Sequence, residues 1–305
     1  MLDHSISRGW EAGSDAVPWG PVIRTESGAT KWLDLCYCVV WGHRPQYLDL
    51  TVPAHEPGTK VPVVLWIHGG SWSQGTYKRL SEEVHGYDYL NRLVAQGFAV
   101  AAVDYRKVME TDWRGMCLDL RAAVRWLRHY ADEFDLDTTR FAYWGESAGA
   151  HLALLTSLLP ELKSRPAVGD HLGQPEGVQA IVNWYGPTDF TVFLSEKDTL
   201  PGWRDMPLPR LVRGDWEMLL KISPALLVRE DLPMPPVFTA HGTADALVEI
   251  EQANLLHQRM AEAGHHSELL TVPGAGHVFM GASRSRVNAV IDGSIDFLHR
   301  MLIDA

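Results

Sequence analysis

The feature that most constrains the fold of this chain is a series of short apolar runs that do not alternate with polar residues. PVVLWI (62–67) and FAVAAV (98–103) are apolar at every position. A strand with one exposed face alternates, so these runs predict strands that are covered on both faces. An amphipathic helical pattern follows at residues 113–134. This arrangement indicates an α/β fold with a mainly parallel central sheet flanked by helices.

Further strands are predicted along the rest of the chain. The first, YLDLTV (47–52), alternates as a half-buried edge strand would, and it suggests an antiparallel edge to the sheet. The others follow the apolar pattern: RFAYW (140–144), VQAIVNWY (178–185), PVFTA (236–240) and SELLTV (267–272).

The length and composition predict a single domain over residues 1–305. A chain of 305 residues with 46% hydrophobic content can bury a large core. Residues 187–235 interrupt the rhythm of strands and helices and are rich in Pro, Trp, Arg and Met, which predicts an inserted cap or lid. We expect an arm at about residues 1–30, whose position the sequence does not define.

Charge and cysteine content narrow the range of partners. The formal net charge of −11 argues against nucleic acid or an anionic membrane as a partner. The N-terminal residues lack the basic and apolar regions of a signal peptide. Cys36, Cys38 and Cys117 are an odd set without CxxC spacing, so a metal at the first two is the less favoured alternative. We therefore expect a cytoplasmic protein without metal or cofactor, of undefined oligomeric state.

Polar, glycine-rich segments follow four of the predicted strands. Ligands of open α/β sheets bind outside the carboxyl ends of the strands, so these segments predict a site there. They include a Ser, an Asp and a His in that chain order. The segments are HGGSW (68–72), GESAG (145–149), HGTADALV (241–248) and PGAGHVF (273–279).

The GESAG segment places Ser147 between Gly145 and Gly149, where a predicted strand meets a predicted helix. In a G-x-S-x-G turn the serine takes a strained backbone conformation that exposes its hydroxyl at the helix N-terminus. We interpret Ser147 as a nucleophile. An ordinary N-cap serine is the alternative.

A serine hydroxyl needs a base, and the base needs a carboxylate to orient it. His277 is the candidate base, because it lies in a short loop after the last predicted strand. Asp245 follows the preceding strand and is the candidate carboxylate. Asp189 and Asp231 are rivals, but neither directly follows a strand in the required order.

An acyl-transfer site also needs donors for the oxyanion of its tetrahedral intermediate. The N–H of Ala148, directly after the serine, is one expected donor. Gly70 and Ser71 of HGGSW are expected to turn further N–H groups towards the site. A plain glycine turn is the alternative interpretation of that segment.

On these motifs the chain resembles the α/β-hydrolase superfamily, in the esterase branch with an HGG-x-W oxyanion loop. The shared segments also include VDYR, NWYGPTD and SPALL. That branch contains hormone-sensitive-lipase-like carboxylesterases, acetylxylan- and feruloyl-esterase-like enzymes and kynurenine formamidases. Ser71 in place of a third glycine, and GESAG in place of GDSAG, favour the last two groups.

The resemblance assigns roles to the residues of these loops and implies no cofactor. The implied site comprises a catalytic triad (Ser147, Asp245 and His277), an oxyanion hole (Gly70, Ser71 and Ala148) and a support for the oxyanion loop (His68 and Gly69).

Aromatic residues beside the loops are candidates for a substrate pocket. Trp72, Trp184 and Tyr185 flank the strand ends, and Glu146 adjoins the serine. Apolar side chains commonly line such pockets, but packing in the core is the alternative. His151 lies one helical turn after the serine, as a second base or as a structural histidine.

The leading functional hypothesis is a serine hydrolase that cleaves small carboxylic esters through an acyl-enzyme. Cleavage of amides by the same residues, as in an aryl formamidase, is the runner-up. A ligand receptor on a disabled hydrolase fold is a third possibility, because fold does not imply function.

Overall fold

The computed structural model describes residues 20–80, 84, 86–159, 167–191 and 207–304, and nine strands in these ranges form one sheet. The strands are β1 (Val22–Arg24), β2 (Thr30–Cys38), β3 (Gln46–Val52), β4 (Val61–Ile67), β5 (Ala99–Val103), β6 (Leu136–Glu146), β7 (Ala180–Trp184), β8 (Val237–Gly242) and β9 (Ser267–Val272). The helices are α1 (Tyr89–Ala95), α2 (Trp113–His129), α3 (Ala148–Leu158), α4 (Pro207–Leu211), α5 (Met218–Lys221), α6 (Pro224–Leu227), α7 (Ile250–Glu262) and α8 (Arg284–Leu302), with a 3₁₀ turn at His277–Phe279.

The sheet is mostly parallel. Its strand order is β1-β2-β3-β5-β4-β6-β7-β8-β9. Strands β5, β4, β6, β7, β8 and β9 run parallel, whereas β1, β2 and β3 are antiparallel to their neighbours. The predicted α/β class is therefore confirmed, and each predicted strand has a counterpart in the sheet.

The prediction that residues 47–52 form an edge strand is wrong. Strands β1 and β2 lie outside β3 and cover its free side. Strand β2 escapes pattern analysis because its register with β3 shifts between Trp32 and Leu35. Asp34 takes a positive φ of 55° within this bulge. An irregularity of this kind breaks the two-residue periodicity by which strands are detected.

Two apolar layers, one on each face of the sheet, form the core. Strand β4 shows why the apolar runs do not alternate, because all seven of its residues are buried. Val63, Leu65 and Ile67 belong to the layer beneath α2 and α3. Val64 and Trp66 belong to the opposite layer, beneath α1 and α8. The central strands of the sheet are thus covered on both faces.

The predicted cap and arm fall partly outside the described residues, namely at 192–206 and 1–19. Within the described part of the cap segment, Leu211, Leu219 and Ile222 are fully buried in the same apolar layer as α3. The assignment of one domain with an inserted cap stays a prediction. Of the described helices, none combines the length and apolar content that crossing a bilayer requires.

The three cysteines are free thiols. Cys38 and Cys117 are buried and Cys36 is half-buried. Burial raises the pKa of Cys36 to about 11 and the pKa of Cys38 and of Cys117 to about 12. Across the described residues, no group of three or more His, Cys, Asp and Glu side chains is arranged to hold a metal ion.

Candidate active site

Ser147 occupies a sharp turn between β6 and α3. Its backbone has φ 50° and ψ −117°, a conformation that few residues with side chains adopt. Its N–H donates to the carbonyl of Trp184 on the neighbouring strand at 2.9 Å. The strained turn is therefore held by the sheet, and it directs the serine side chain out of the chain reversal.

The two glycines that flank Ser147 are required by close packing. A Cβ at Gly145 would lie 2.4 Å from the Cα of Ala150, and one at Gly149 would lie 2.2 Å from the carbonyl oxygen of Ile67. Both obstacles are backbone atoms, which cannot move aside as a flexible side chain does. The G-x-S-x-G pattern thus follows from the approach of α3 to β4 and β6.

The structure brings Ser147, His277 and Asp245 together in one chain of hydrogen bonds. The Oγ of Ser147 lies 3.0 Å from Nε2 of His277, and Nδ1 of His277 lies 2.7 Å from Oδ2 of Asp245. The rival carboxylates lie elsewhere: Asp189 accepts from the N–H of Thr191, and Asp231 pairs with Arg229 at the surface.

Asp245 is buried and fully hydrogen-bonded. Its Oδ1 accepts the N–H groups of Leu247 and Val248, each at 2.9 Å. Nε2 of His241 donates to the carbonyl of Val248 at 2.7 Å and lies 3.4 Å from Oδ2 of Asp245. Burial alone would raise the pKa of Asp245, but the hydrogen bonds from His241, His277 and Val248 hold it well below its usual range. This carboxyl group is therefore ionised at neutral pH.

The loops that carry Asp245 and His277 are joined through their backbones. The N–H of Ala244 donates to the carbonyl of Ala275 at 2.9 Å. His277 then begins the 3₁₀ turn, and the ring of Tyr185 packs edge-on against its imidazole at a centroid distance of 4.9 Å. The His277 side chain keeps 15% of its surface exposed, so a substrate can reach it.

The HGGSW loop after β4 has three consecutive residues with positive φ. The values are 110° at Gly70, 50° at Ser71 and 58° at Trp72. Among the hydrogen bonds of the described ranges, none engages the N–H of Gly70, of Ser71 or of Ala148. A Cβ at Gly69 would lie 3.3 Å from the Cβ of Ser147, so the loop passes directly beside the serine. These N–H groups are thus available to a substrate oxygen.

Side chains behind this loop hold it in place. Nδ1 of His68 lies 2.6 Å from the carbonyl oxygen of Gly69, and the hydroxyl of Tyr105 donates to the carbonyl of His68 at 3.0 Å. Nε2 of His68 faces Nζ of Lys107 at 2.8 Å and Oδ1 of Asp104 at 3.4 Å. Residues 104–107 were not predicted to belong to the site. They directly follow β5, as the other loops follow their strands, but they contain no glycine.

Asp104 carries the negative charge of this supporting cluster. Burial alone would raise its pKa, but the contacts with His68, Lys107 and Arg44 hold the pKa well below its usual range. Burial lowers the pKa of His68 itself, and the charge of Lys107 lowers it further.

The predicted pocket residue Glu146 is part of the packed interior. Its carboxylate accepts from Nε1 of Trp66 at 3.0 Å, from the hydroxyl of Tyr185 at 3.2 Å and from the hydroxyl of Tyr89. It is 3% exposed, so it does not line a pocket. It supports the turn at Ser147 from the interior of the protein, and its hydrogen bond to Tyr185 holds that ring beside His277.

Trp184 also differs from the pocket prediction. It is fully buried, packs edge-to-face against the rings of Trp144 and Phe279, and donates from Nε1 to Oγ of Ser294 at 3.0 Å. Its side chain belongs to the core layer that joins the sheet to the last helix. Of the four predicted pocket residues, Trp72 belongs to the HGGSW loop and Tyr185 packs against His277.

His151 is a structural histidine. Its Nδ1 accepts from Nε1 of Trp72 at 3.2 Å, and its Nε2 lies 2.8 Å from the carbonyl oxygen of Ile222. Burial lowers its pKa to about 4, so the ring is neutral at physiological pH. Both nitrogens are engaged, which leaves none to act as a second base. The residue joins the HGGSW loop to the cap segment.

Comparison with protein families and curated proteins places this site in context. The BD-FAE family model matches residues 48–260. Esterase LipC of Mycobacterium tuberculosis is 30% identical over 79% of this chain, which spans 59% of LipC. The chain spans 60% of the related esterase LipQ. An acetyl esterase of Salmonella schwarzengrund is 27% identical over 84% of this chain and 78% of its own length.

Solved structures share the fold over nearly the whole chain. A truncated carbohydrate esterase from gut microbiota superposes with a TM-score of 0.73 at 23% identity, over 91% of this chain and 98% of that chain. The propionate-bound esterase Est2 of Thermogutta terrifontis gives a TM-score of 0.68 at 24% identity, over 93% of this chain and 94% of that chain. These likenesses confirm the α/β-hydrolase fold that the sequence motifs implied.

Proposed function

The chain belongs to the BD-FAE family, and on that premise we propose that it is a serine esterase that cleaves small carboxylic esters. The observation that carries the proposal is the hydrogen-bonded chain from Ser147 through His277 to Asp245, with N–H groups beside the serine that donate to no acceptor among the described residues. A nucleophile, an oriented base and oxyanion donors are the parts that acyl transfer requires.

The first chemical step is attack by Ser147 on the ester carbonyl. Asp245, ionised and buried, accepts a hydrogen bond from Nδ1–H of His277, which leaves Nε2 free to take the hydroxyl proton of Ser147. The Oγ–carbon bond forms as the carbonyl electrons move onto the oxygen. The imidazolium that results is stabilised by the carboxylate of Asp245.

The oxyanion is received by the N–H groups of Gly70, Ser71 and Ala148. A donor of this kind is worth about 3 kcal/mol of transition-state stabilisation. When the tetrahedral intermediate collapses, His277 gives its proton to the departing alkoxide and an acyl-serine remains. Water then attacks the acyl group with His277 as base, which releases the acid and restores the serine.

The choice of a small acyl group rests on the relatives. The curated proteins that match most of this chain include an acetyl esterase and the esterases LipC and LipQ. Ester and amide cleavage share the same residues, so an N-formyl anilide belongs beside the esters in any substrate panel.

The test is hydrolysis of p-nitrophenyl acetate, butyrate and octanoate by the wild type and by Ser147→Ala. We expect wild-type turnover that falls with acyl length, and a loss of about 10⁴-fold or more in kcat for the variant. Ser157→Ala is the matched control, since that serine lies on the same helix and donates only to the carbonyl of Ala153. It should keep wild-type rates.

An inactive wild type, or equal activity of Ser147→Ala, would refute the proposal. Turnover of the formyl anilide in preference to all three esters would replace esterase by amidase activity. Saturable binding of an ester without turnover would instead indicate a receptor.

A further inference from the structure

Lys107 is a buried cation next to the supports of the HGGSW loop. Its Nζ lies 2.8 Å from Nε2 of His68 and 2.9 Å from Oδ1 of Asp104. Its side chain is 13% exposed, and the ammonium sits 3.9 Å from the ring centroid of Tyr105. The residue contacts neither Ser147 nor His277 in the described structure, so any part that it plays is indirect.

The position of the ammonium settles which nitrogen of His68 carries the proton. An ammonium group has donors and no acceptor. Nε2 of His68, which faces it, therefore presents a lone pair. The ring proton then resides on Nδ1, which donates to the carbonyl oxygen of Gly69 at 2.6 Å. Oδ1 of Asp104 therefore accepts a hydrogen bond from Nζ of Lys107 at 2.9 Å, and not from the imidazole.

The hydrogen bond to Gly69 determines the direction of a neighbouring N–H. The carbonyl of Gly69 and the N–H of Gly70 belong to one planar trans peptide and point to opposite sides. Holding the carbonyl on the His68 side therefore turns the N–H of Gly70 away from His68, and Gly69 itself lies beside Ser147.

We propose that Lys107 is a positioning residue for the oxyanion hole, acting by fixing His68 in the tautomer that holds the Gly69–Gly70 peptide. This inference rests on the esterase function proposed above. It adds a residue from the loop after β5 to a hole built from the loops after β4 and β6.

Removal of Lys107 should make the oxyanion hole depend on pH. Oδ1 of Asp104 would remain near Nε2 of His68 and would favour a proton there. In a neutral ring with its proton on Nε2, the lone pair of Nδ1 faces the carbonyl oxygen of Gly69. The two lone pairs repel each other, so the hydrogen bond that holds this carbonyl is lost. Only the imidazolium can donate both to Oδ1 of Asp104 and to the carbonyl oxygen of Gly69. The lost charge also favours this state, because burial and then Lys107 lower the pKa of His68.

The kinetic test compares kcat and KM over pH 5–10 for the wild type, Lys107→Met, Lys107→Arg and Arg44→Met. Arg44 is the matched control, since it pairs with Oδ2 of the same Asp104 and does not contact His68. For Lys107→Met we expect a fall of about 10- to 100-fold in kcat at alkaline pH, the scale of a misplaced oxyanion donor. KM should change little, and a descending alkaline limb should replace the plateau.

Lys107→Arg, which keeps a donor, should restore most of the activity, and Arg44→Met should keep the wild-type profile. An unchanged profile for Lys107→Met, or an equal change for Arg44→Met, would overturn the proposal.

A second measurement does not depend on activity. Nitrogen-15 spectra of the histidine rings in the wild type should show His68, assigned with His68→Gln, protonated at Nδ1 and not at Nε2. A proton on Nε2 would overturn the inference even if the esterase proposal stands. An inactive wild type with the expected tautomer would instead refute only the proposed function.

Discussion

The two halves of the site achieve their geometry by different means. In the acid–base half, Asp245 and His277 follow β8 and β9, and the side chains that contact each other are those proposed to react. In the oxyanion half, the groups proposed to act are backbone N–H groups, those of Gly70 and Ser71 in the loop after β4 and that of Ala148 after β6. The side chains there, His68 and its partners, lie one layer behind. One half depends on the identity of side chains, and the other on the direction of peptides.

The difference predicts how each half responds to substitution. In the acid–base half a substitution removes a reacting group or its partner, so the loss is large and local. In the oxyanion half a substitution displaces a peptide, so the loss is smaller and can be produced from residues that never meet the substrate.

The largest effect should come from Asp245→Asn. An asparagine amide can donate to Nδ1 of His277, which would place the ring proton on Nε2. A protonated Nε2 cannot accept the hydroxyl proton of Ser147. We expect kcat to fall by about 10⁴-fold with the fold intact. Stopped assays with p-nitrophenyl acetate and circular dichroism measure the two quantities. A loss below tenfold would show that Asp245 does not control the tautomer.

A sharper comparison replaces one glycine in each half by alanine and compares the loss of kcat. Gly70 has a φ of 110°, and a Cβ there would lie 2.4 Å from the carbonyl oxygen of Gln74. Gly274 has a φ of 72°, and a Cβ there would meet nothing within 4 Å. Gly70→Ala should lower kcat by about 10²- to 10³-fold, the effect of a lost oxyanion donor.

Gly274→Ala is the control for Gly70→Ala. It should cost about 1 kcal/mol of unfolding free energy through backbone strain, with kcat nearly unchanged. Equal kinetic losses for both variants would erase the contrast between the halves.

A prediction of intermediate size concerns pH and His241. Since hydrogen bonds hold the folded pKa of Asp245 below its usual range, its ionisation stabilises the native state above the unfolded pKa of about 3.9. That stability is lost as the pH falls towards the folded pKa. His241→Phe removes one donor, so the folded pKa should rise and less stability should depend on ionisation.

Urea unfolding of wild type and His241→Phe at pH 7 and pH 3 measures this difference. We expect the variant to lose about 1–2 kcal/mol at pH 7 and less at pH 3, in keeping with one hydrogen bond to a charged group. An equal loss at both pH values would mean that His241 acts by packing alone.

The smallest effect should come from Trp72→Phe in the oxyanion half. This change leaves the buried Nδ1 of His151 without its donor, at a cost of about 1 kcal/mol in stability. We expect kcat to fall by about threefold or less, because His68 still holds the loop. A kcat loss above thirtyfold would show that the anchor to the cap, and not His68, positions the oxyanion hole.

The acid–base half is the part that sequence reasoning could predict. Ser147, Asp245 and His277 each follow a recognisable apolar strand in a distinctive chain order, and the structure places them within hydrogen-bonding distance. The central strands were predictable because burial on both faces leaves a continuous apolar run, as in β4 and β5. Strand β2 was missed where its bulge at Asp34 breaks the pattern.

The support of the oxyanion half could not be predicted in this way. Lys107 and Asp104 reach His68 only because β5 lies beside β4 in the sheet, and strand order is a property of three dimensions. Trp184 was misplaced for a related reason. A tryptophan at the end of a strand can face a substrate or a helix, and only the register of the strand decides between them.

The three free thiols have a practical consequence for chemical labelling. Only the thiolate reacts with maleimides and iodoacetamide, and a thiol with a pKa of about 11 or 12 is ionised at pH 7 to only about one part in 10⁴ or 10⁵. Thiol reagents should therefore leave Cys36, Cys38 and Cys117 largely unmodified while the protein is folded. A fluorescent tag on a newly introduced surface cysteine would then report on a single, chosen position.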